Sequence, residues 1–334
     1  MKKSIILVAF ALLTAVSCVN NKPSNALLPN VSGKAGEVLV IMDKADWEGN
    51  LGTEVRSVMG APTPFLPQEE PLFSMVNVSK SGFSQMFKMH RNVLYFDIDP
   101  QITSSGVQLK ENIWAFPQCV VQVNAVNADS ASSIFKRNSE LIANSIEQAE
   151  RNRIINNAIK YENKPLGEAV AQVTGGTMHF PDGYKLLKKT DSFVWIADVK
   201  QYTNQGVIVY KYPVTGDDSF LKEKLLSKMD EVMKSEVPGM FDDTYMVTST
   251  YEDPSLKFIK YKGLDFAEIR GFWEVHNDFM GGPFVSHSFY SKDGKDIIVL
   301  EAFVYAPKFD KRQYLRQVES LLYSFSWVSE AKKE

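Results

Sequence analysis

Apolar positions recur along this chain with two periods, and the shifts between them outline the elements. Glu37-Val-Leu-Val-Ile-Met42 is a short β-branched run, apolar from Val38, that predicts a buried strand. Asp46 can cap a helix that ends near Met59, with Gly60 as its stop. Pro62, Pro64, Pro67 and Pro71 predict a loop. Phe83, Met86, Phe87 and His90 fall at i, i+3, i+4 and i+7, one face of a helix over 79–90. Val93–Ile98 follows as a strand, and another is expected within 112–126, broken at Pro117. Residues 129–160 carry the longest helical stripe, through Ile134, Phe135, Leu141, Ile142, Ile146, Ile155 and Ile159. Asp129 or Ser130 can cap it, and Glu147 and Arg151 stand at i, i+4.

Beyond Pro165 and the Gly175-Gly176 pair, strands dominate. Runs at 193–199 and 207–212 flank a turn at 204–206, and residues 220–234 form an amphipathic helix on Leu221, Leu225, Met229 and Val232. Strands are expected near 256–262, 264–278, 283–291 and 296–305, the last two joined by the hairpin signal Asp293-Gly294. A terminal helix spans 311–324. The order lacks a regular βαβ alternation. It predicts an α+β protein with mixed or antiparallel sheets and two similar-sized halves, the second an α/β/α sandwich-like unit. The halves are placed at 36–176 and 177–328.

The first residues alter the picture of where such a protein works. Lys2 and Lys3 precede an apolar run from Ile5 to Val16, and Ala15-Val16-Ser17 leads into Cys18. The run is shorter than the roughly 20 residues needed to span a bilayer. It reads as a signal peptide over 1–17 that delivers Cys18 for lipidation. Ala15 stands where Leu is commonest, and an ordinary signal peptidase would also accept this site. Two or more acyl chains, at about 0.8 kcal/mol per buried methylene, hold a protein stably on a membrane. Residues 18–35 are polar and read as a flexible tether, with no acidic cluster after Cys18. The expected location is the cell envelope, at the outer membrane facing the periplasm, with the membrane as partner through Cys18 and another envelope protein as a second partner.

Charge and cysteine content narrow the chemistry. The formal charge is −3, no basic stripe is present, and nucleic acid is not an expected partner. Cys119 is the one thiol besides Cys18, so an internal disulfide is excluded if Cys18 is acylated. It sits in an apolar run and reads as a buried, inert residue. Nucleophile-elbow, zincin, phosphate-loop and dinucleotide motifs are absent, and no cofactor is expected.

Two clusters could carry chemistry. Gly281-Gly282 suggests a tight hairpin after Trp273. With an even loop count, Glu274, His276, Asp278 and His287 share one sheet face, where they could bind zinc or act as acid and base. An odd loop moves His287 to the other face, and the bland reading is a solvated polar face. Lys88, His90 and Arg91 lie at a helix end, where cations complement the dipole or could hold an anion.

Three segments bear a family resemblance: Leu27–Asp43, Phe87–Leu94 and Arg270-Gly-Phe-Trp-Glu-Val275, the last with Ala306-Pro307 and the terminal helix behind it. They resemble an uncharacterised lipoprotein family of Bacteroidota, domain of unknown function 4837, over nearly all of the mature chain. The resemblance implies a lipid anchor and a Gram-negative envelope but no activity. Residues 178–326 are also similar in element order to the sandwich of the PsbP proteins, which are mostly binding or assembly factors. The expected function is a non-enzymatic envelope binding or assembly module. The runner-up is an envelope hydrolase or metal-dependent enzyme using Glu274, His276 and His287.

Overall fold

The structure is a computed structural model and describes residues 28–328. The expected signal peptide over 1–17, Cys18 and the first part of the expected tether lie outside the described residues.

In the first half, β1 (Glu37–Ile41), β2 (Ser74–Val78), β3 (Asn92–Ile98), β4 (Gly106–Glu111) and β5 (Cys119–Ala125) form one sheet in the order β2-β1-β3-β5-β4. Its neighbours are parallel except for β4, which pairs antiparallel to β5 at the edge. Parallel strands are covered on both faces, which explains the continuous apolar runs of β1 and β3. Helices α1 (Lys44–Glu48), α2 (Asn50–Met59), α3 (Gln85–Lys88), α4 (Ala128–Arg137) and α5 (Ser139–Lys160) accompany this sheet. Val40, Leu94, Phe96 and Val121 pack under α2, α4 and the first turns of α5. Leu39, Ile41, Val93 and Val120 meet Phe83, Phe87 and Trp114 on the other face.

The second half begins with α6 (Lys164–Thr174), β6 (Gly176–Thr177), β7 (Lys185–Lys189), β8 (Phe193–Lys200), β9 (Thr203–Pro213), α7 (Lys222–Glu236) and β10 (Met246–Thr248). It continues with β11 (Ser255–Tyr261), β12 (Leu264–Val275), β13 (Gly281–Tyr290), β14 (Asp296–Tyr305), α8 (Arg312–Leu322) and β15 (Ser326–Trp327). Eight strands make an antiparallel sheet in the order β10-β12-β13-β14-β9-β8-β7, with β11 also paired to β12. On one face α7 sets Leu225, Met229 and Met233 against Ile208, Val299 and Phe303. On the other, α6, α8 and the last turns of α5 cover Val209, Phe266, Val285 and Leu300. The class is therefore α+β as expected, and the second half is an α/β/α sandwich.

Helix α5 joins the two cores. Its 22 residues span about 33 Å. Ile142 and Ile146 belong to the first core, Ile155 and Ala158 to the second. Between them Glu147, Glu150, Arg151 and Arg153 reach to both halves. Glu147 holds the Arg316 guanidinium of α8 through two 2.8 Å bonds. Glu150, fully buried, meets Arg91 at 2.9 Å, Arg153 at 3.1 Å and the Asn92 amide at 2.7 Å. Glu70, in the proline-rich loop, accepts the backbone N–H groups of Lys311 and Arg312 at the start of α8.

Several local expectations change. The helix expected from Asp46 is two pieces split at Gly49, with Asp46 inside the first turn of α1. The helix over 79–90 is a 3-10 turn at Lys80–Gly82 followed by the four residues of α3. Ser79 accepts the Gly82 N–H and closes the turn locally. The 129–160 stripe breaks at Asn138, whose amide donates to the Ile134 carbonyl at 2.8 Å. Asn127, not Asp129 or Ser130, caps α4. Glu147 and Arg151 do not pair with each other but with α8, Arg151 reaching Glu319 at 3.8 Å. Pro165 opens α6 rather than ending a region, because its missing N–H is harmless in a first turn. Residues expected as tether also join the fold, since Ser32 donates to Met89 and accepts from Arg91.

Candidate functional site

The strands β12 and β13 pair Glu274 with Gly281 and Glu268 with His287. His287 shares a face with Glu274, but its cross-strand neighbour lies at 268, roughly 20 Å along the strand at ~3.3 Å per residue. His276 and Asp278 leave the sheet in the connecting turn. His276 stacks on Tyr245 at 4.7 Å, and Asp278 accepts the Phe279 N–H. Glu274, His276, Asp278 and His287 therefore do not converge. No set of three metal-capable side chains occurs among the described residues. Register leaves Glu274 and His287 on one face but far apart, and His276 and Asp278 lie off the sheet.

The basic cluster is also dispersed. His90 is buried with Nε2 2.9 Å from Glu37 and Nδ1 3.0 Å from the Asn92 carbonyl. Arg91 turns inward to Glu150, and Lys88 lies over the Phe83 ring at 6.0 Å. These side chains are engaged with internal carboxylates or cover a ring, so the expected anion site is not formed. Cys119 is buried, and burial pushes its thiol up to about 11, as suits an inert core residue.

What the structure assembles instead is a cleft of about 440 Å³ on the α5–α8 side of the second sheet. Its mouth is the turn between β11 and β12, where Lys262 and Gly263 both have positive φ, as a two-residue hairpin turn requires. Ile155 and Ile159 of α5 form one wall, and the segment Leu322–Trp327 forms another. His287, Phe266 and Leu300 make the buried floor. A second groove, about 550 Å³, runs over Cys119 and Leu141.

A charged network lies under that floor. Glu268 receives Arg270 Nε at 2.7 Å and Nη2 at 3.2 Å, and accepts from the Tyr323 hydroxyl at 3.2 Å. Arg270 also bonds Glu319 at 2.5 and 3.2 Å. Arg151 sits 3.6 Å from the centre of the Tyr323 ring. Burial alone would raise the Glu268 pKa, but the Arg270 guanidinium bonded to it outweighs burial and holds it below the usual carboxylate range. Burial raises Tyr323 and keeps it protonated.

His287 is enclosed in this setting. Its ring stacks on Phe266 at 4.1 Å and meets the Tyr323 ring edge-on at 4.7 Å. Burial lowers its pKa, so the ring is neutral near neutral pH. Nε2 is 3.4 Å from Glu268 Oε2 but off the line of a hydrogen bond, and it has no other partner. At the rim, His179 Nδ1 contacts Glu162 at 2.6 Å. The Ser324 hydroxyl accepts the His179 N–H at 3.0 Å and donates to the Leu321 carbonyl at 2.6 Å.

Of this site, the sequence points only to His287; Glu268, Arg270, Tyr323, Glu319 and Arg151 are not among its candidates. One signal was available: in β12, Glu268 and Arg270 alternate with apolar residues on the same face as Phe266 and Phe272, which marks a buried ion pair.

The fold and site together define a two-part α+β protein with a cleft beside its joining helix. Residues 164–324 match the family model Domain of unknown function (DUF4837), the family named from the sequence. That match takes the second half only. Residues 31–158 match a separate model, Domain of unknown function (DUF8532). No curated protein matches the chain. Among solved structures, a crystal structure from Bacteroides thetaiotaomicron VPI-5482 is 11% identical, with 49% of each chain covered and a TM-score of 0.27. The match therefore spans about half the length of that structure. Human STARD10 is 8% identical over 52% of this chain and 77% of its own, with a TM-score of 0.24. The human StarD13 (DLC2) lipid transfer and protein localization domain is 11% identical over 42% and 89%, with a TM-score of 0.21. These scores are too low to define a shared fold.

Proposed function

We propose that this chain is a lipid-anchored envelope protein that faces the periplasm and acts as a non-enzymatic binding module through the cleft over His287. The anchor reading rests on Cys18, preceded by Ala15-Val16-Ser17 and a short apolar run. The binding reading rests on one observation, the state of the groups around the cleft. Glu268 is committed to Arg270 and Tyr323, Glu319 to Arg270, and the Ser324 hydroxyl to a backbone carbonyl. Aromatic walls with a few oriented polar groups suit recognition, while no hydroxyl or thiol here is activated by a base.

Native mass spectrometry of the mature chain, extracted from the cells that make it, tests the reading. Wild type is expected to carry a small-molecule adduct, and Ile159→Trp, which fills the half-exposed mouth, is expected to lose it. Absence of any adduct, or an adduct indifferent to Ile159→Trp, would overturn the binding reading. The same spectra report on the anchor, since an unmodified Cys18 would exclude it.

A further inference from the structure

The floor of the cleft carries a polar group with nothing to bind. His287 lines the cleft and is 2% exposed. Its Nε2 faces the Glu268 carboxylate, an acceptor, at 3.4 Å. A histidine tautomer is set by the partner of the opposite nitrogen. Beside an ionised carboxylate the proton belongs on Nε2, which leaves a lone pair on Nδ1. No donor from the described residues reaches Nδ1, and only Nε2 is enclosed by protein without a bond. Because His287 lines the cleft and Nδ1, unlike Nε2, is not enclosed, Nδ1 is the atom left to act as an acceptor toward it.

Around that acceptor the surfaces are rings. Phe266 lies beneath His287, and Tyr261, Tyr323, Phe325 and Trp327 line the walls. Rings offer offset stacking or edge contacts to a planar guest. An alkyl chain would fill the space but leave the acceptor unpaired, which costs affinity.

We propose that the cleft binds a planar aromatic compound carrying a hydroxyl group, inserted so that the hydroxyl donates to Nδ1 of His287. This rests on the binding reading above and names the class of ligand. The outer end of the guest meets the exposed turn at Lys262 and Gly263, so a substituent there is tolerated.

Isothermal titration of the mature chain with three probes tests the proposal: 2-naphthol, naphthalene and 2-methoxynaphthalene. 2-Naphthol is expected to bind at least about tenfold more tightly than the other two, a difference of about 1.4 kcal/mol. The methoxy compound retains the oxygen but cannot donate. In His287→Phe, which keeps a ring against Phe266, the three affinities are expected to fall within about twofold. Equal affinities in wild type would overturn the hydroxyl assignment and leave the cleft as a binding site. Failure of all three to bind would overturn both. If His287→Phe does not fold, the comparison of the three probes in wild type still decides.

Discussion

Glu70 accepts the backbone N–H of Lys311 at 2.6 Å, a contact that crosses 241 positions of sequence. Its second oxygen accepts the Arg312 N–H at 2.9 Å. A helix start leaves several donors unpaired, and α8 has no side-chain cap of its own. A carboxylate from the first half therefore caps a helix of the second, and favours the positive end of its dipole. Glu70→Ala is expected to cost roughly 1–2 kcal/mol, the size of a lost cap. Glu70→Gln, which keeps one acceptor, should cost less. Urea unfolding of the two variants checks the order.

The buried Glu150 sets a larger effect. It is the shared counter-ion of Arg91 and Arg153 and has no exposure. Removing one partner of a buried ion pair costs roughly 3–5 kcal/mol, because the remaining charge stays desolvated. Glu150→Ala is expected to lower Tm well beyond Glu70→Ala. A smaller shift in thermal unfolding would show that water reaches this junction.

Glu301 makes stability depend on pH in one direction. It is fully buried on β14 with neither carboxyl oxygen bonded. Burial, with a smaller contribution from Asp230, pushes its pKa up to about 8 from 4.5. Between those values the folded state holds a proton that the unfolded state has released, so stability falls as pH rises from about 4.5 to about 8. Above that range this residue adds no further slope. Glu301→Gln, which mimics the protonated acid, should flatten the decline between pH 6.5 and 8, measured by unfolding at several pH values.

The Cys119 thiol is buried and its pKa is raised to about 11. A thiol reagent at pH 8 is expected to leave it unmodified in the folded protein and to modify it in urea. Fast reaction without urea would mean that the groove over α5 opens.

The Asp293-Gly294 hairpin and helices α7 and α8 are legible because their signals are local, whereas α6 is not, since its Pro165 reads as a break. Asp293-Gly294, with Gly294 at φ 71°, marks its turn, and α7 and α8 show their apolar faces. Breaks made by side chains were harder. Asn138 ends α4 through a bond to its own helix, and apolar spacing does not register that. The candidate site was the least legible part. His287 shows in the sequence as one histidine near another, but register, not proximity, decides its neighbour, and that neighbour is Glu268. Arg151, Glu319 and Tyr323 arrive from α5 and from α8 and the residue after it, and only the packing of the halves brings them together. Since Glu274, His276, Asp278 and His287 stay apart, zinc is expected to leave Tm unchanged.

The cleft as a binding site is tested most directly by crystallographic difference density in the mature chain, purified without unfolding from the cells that make it. The expected result is density for a planar, non-protein molecule against Phe266 and Trp327, with one oxygen within hydrogen-bond distance of His287. A cleft holding only water, with a ligand bound elsewhere on the chain, would contradict it.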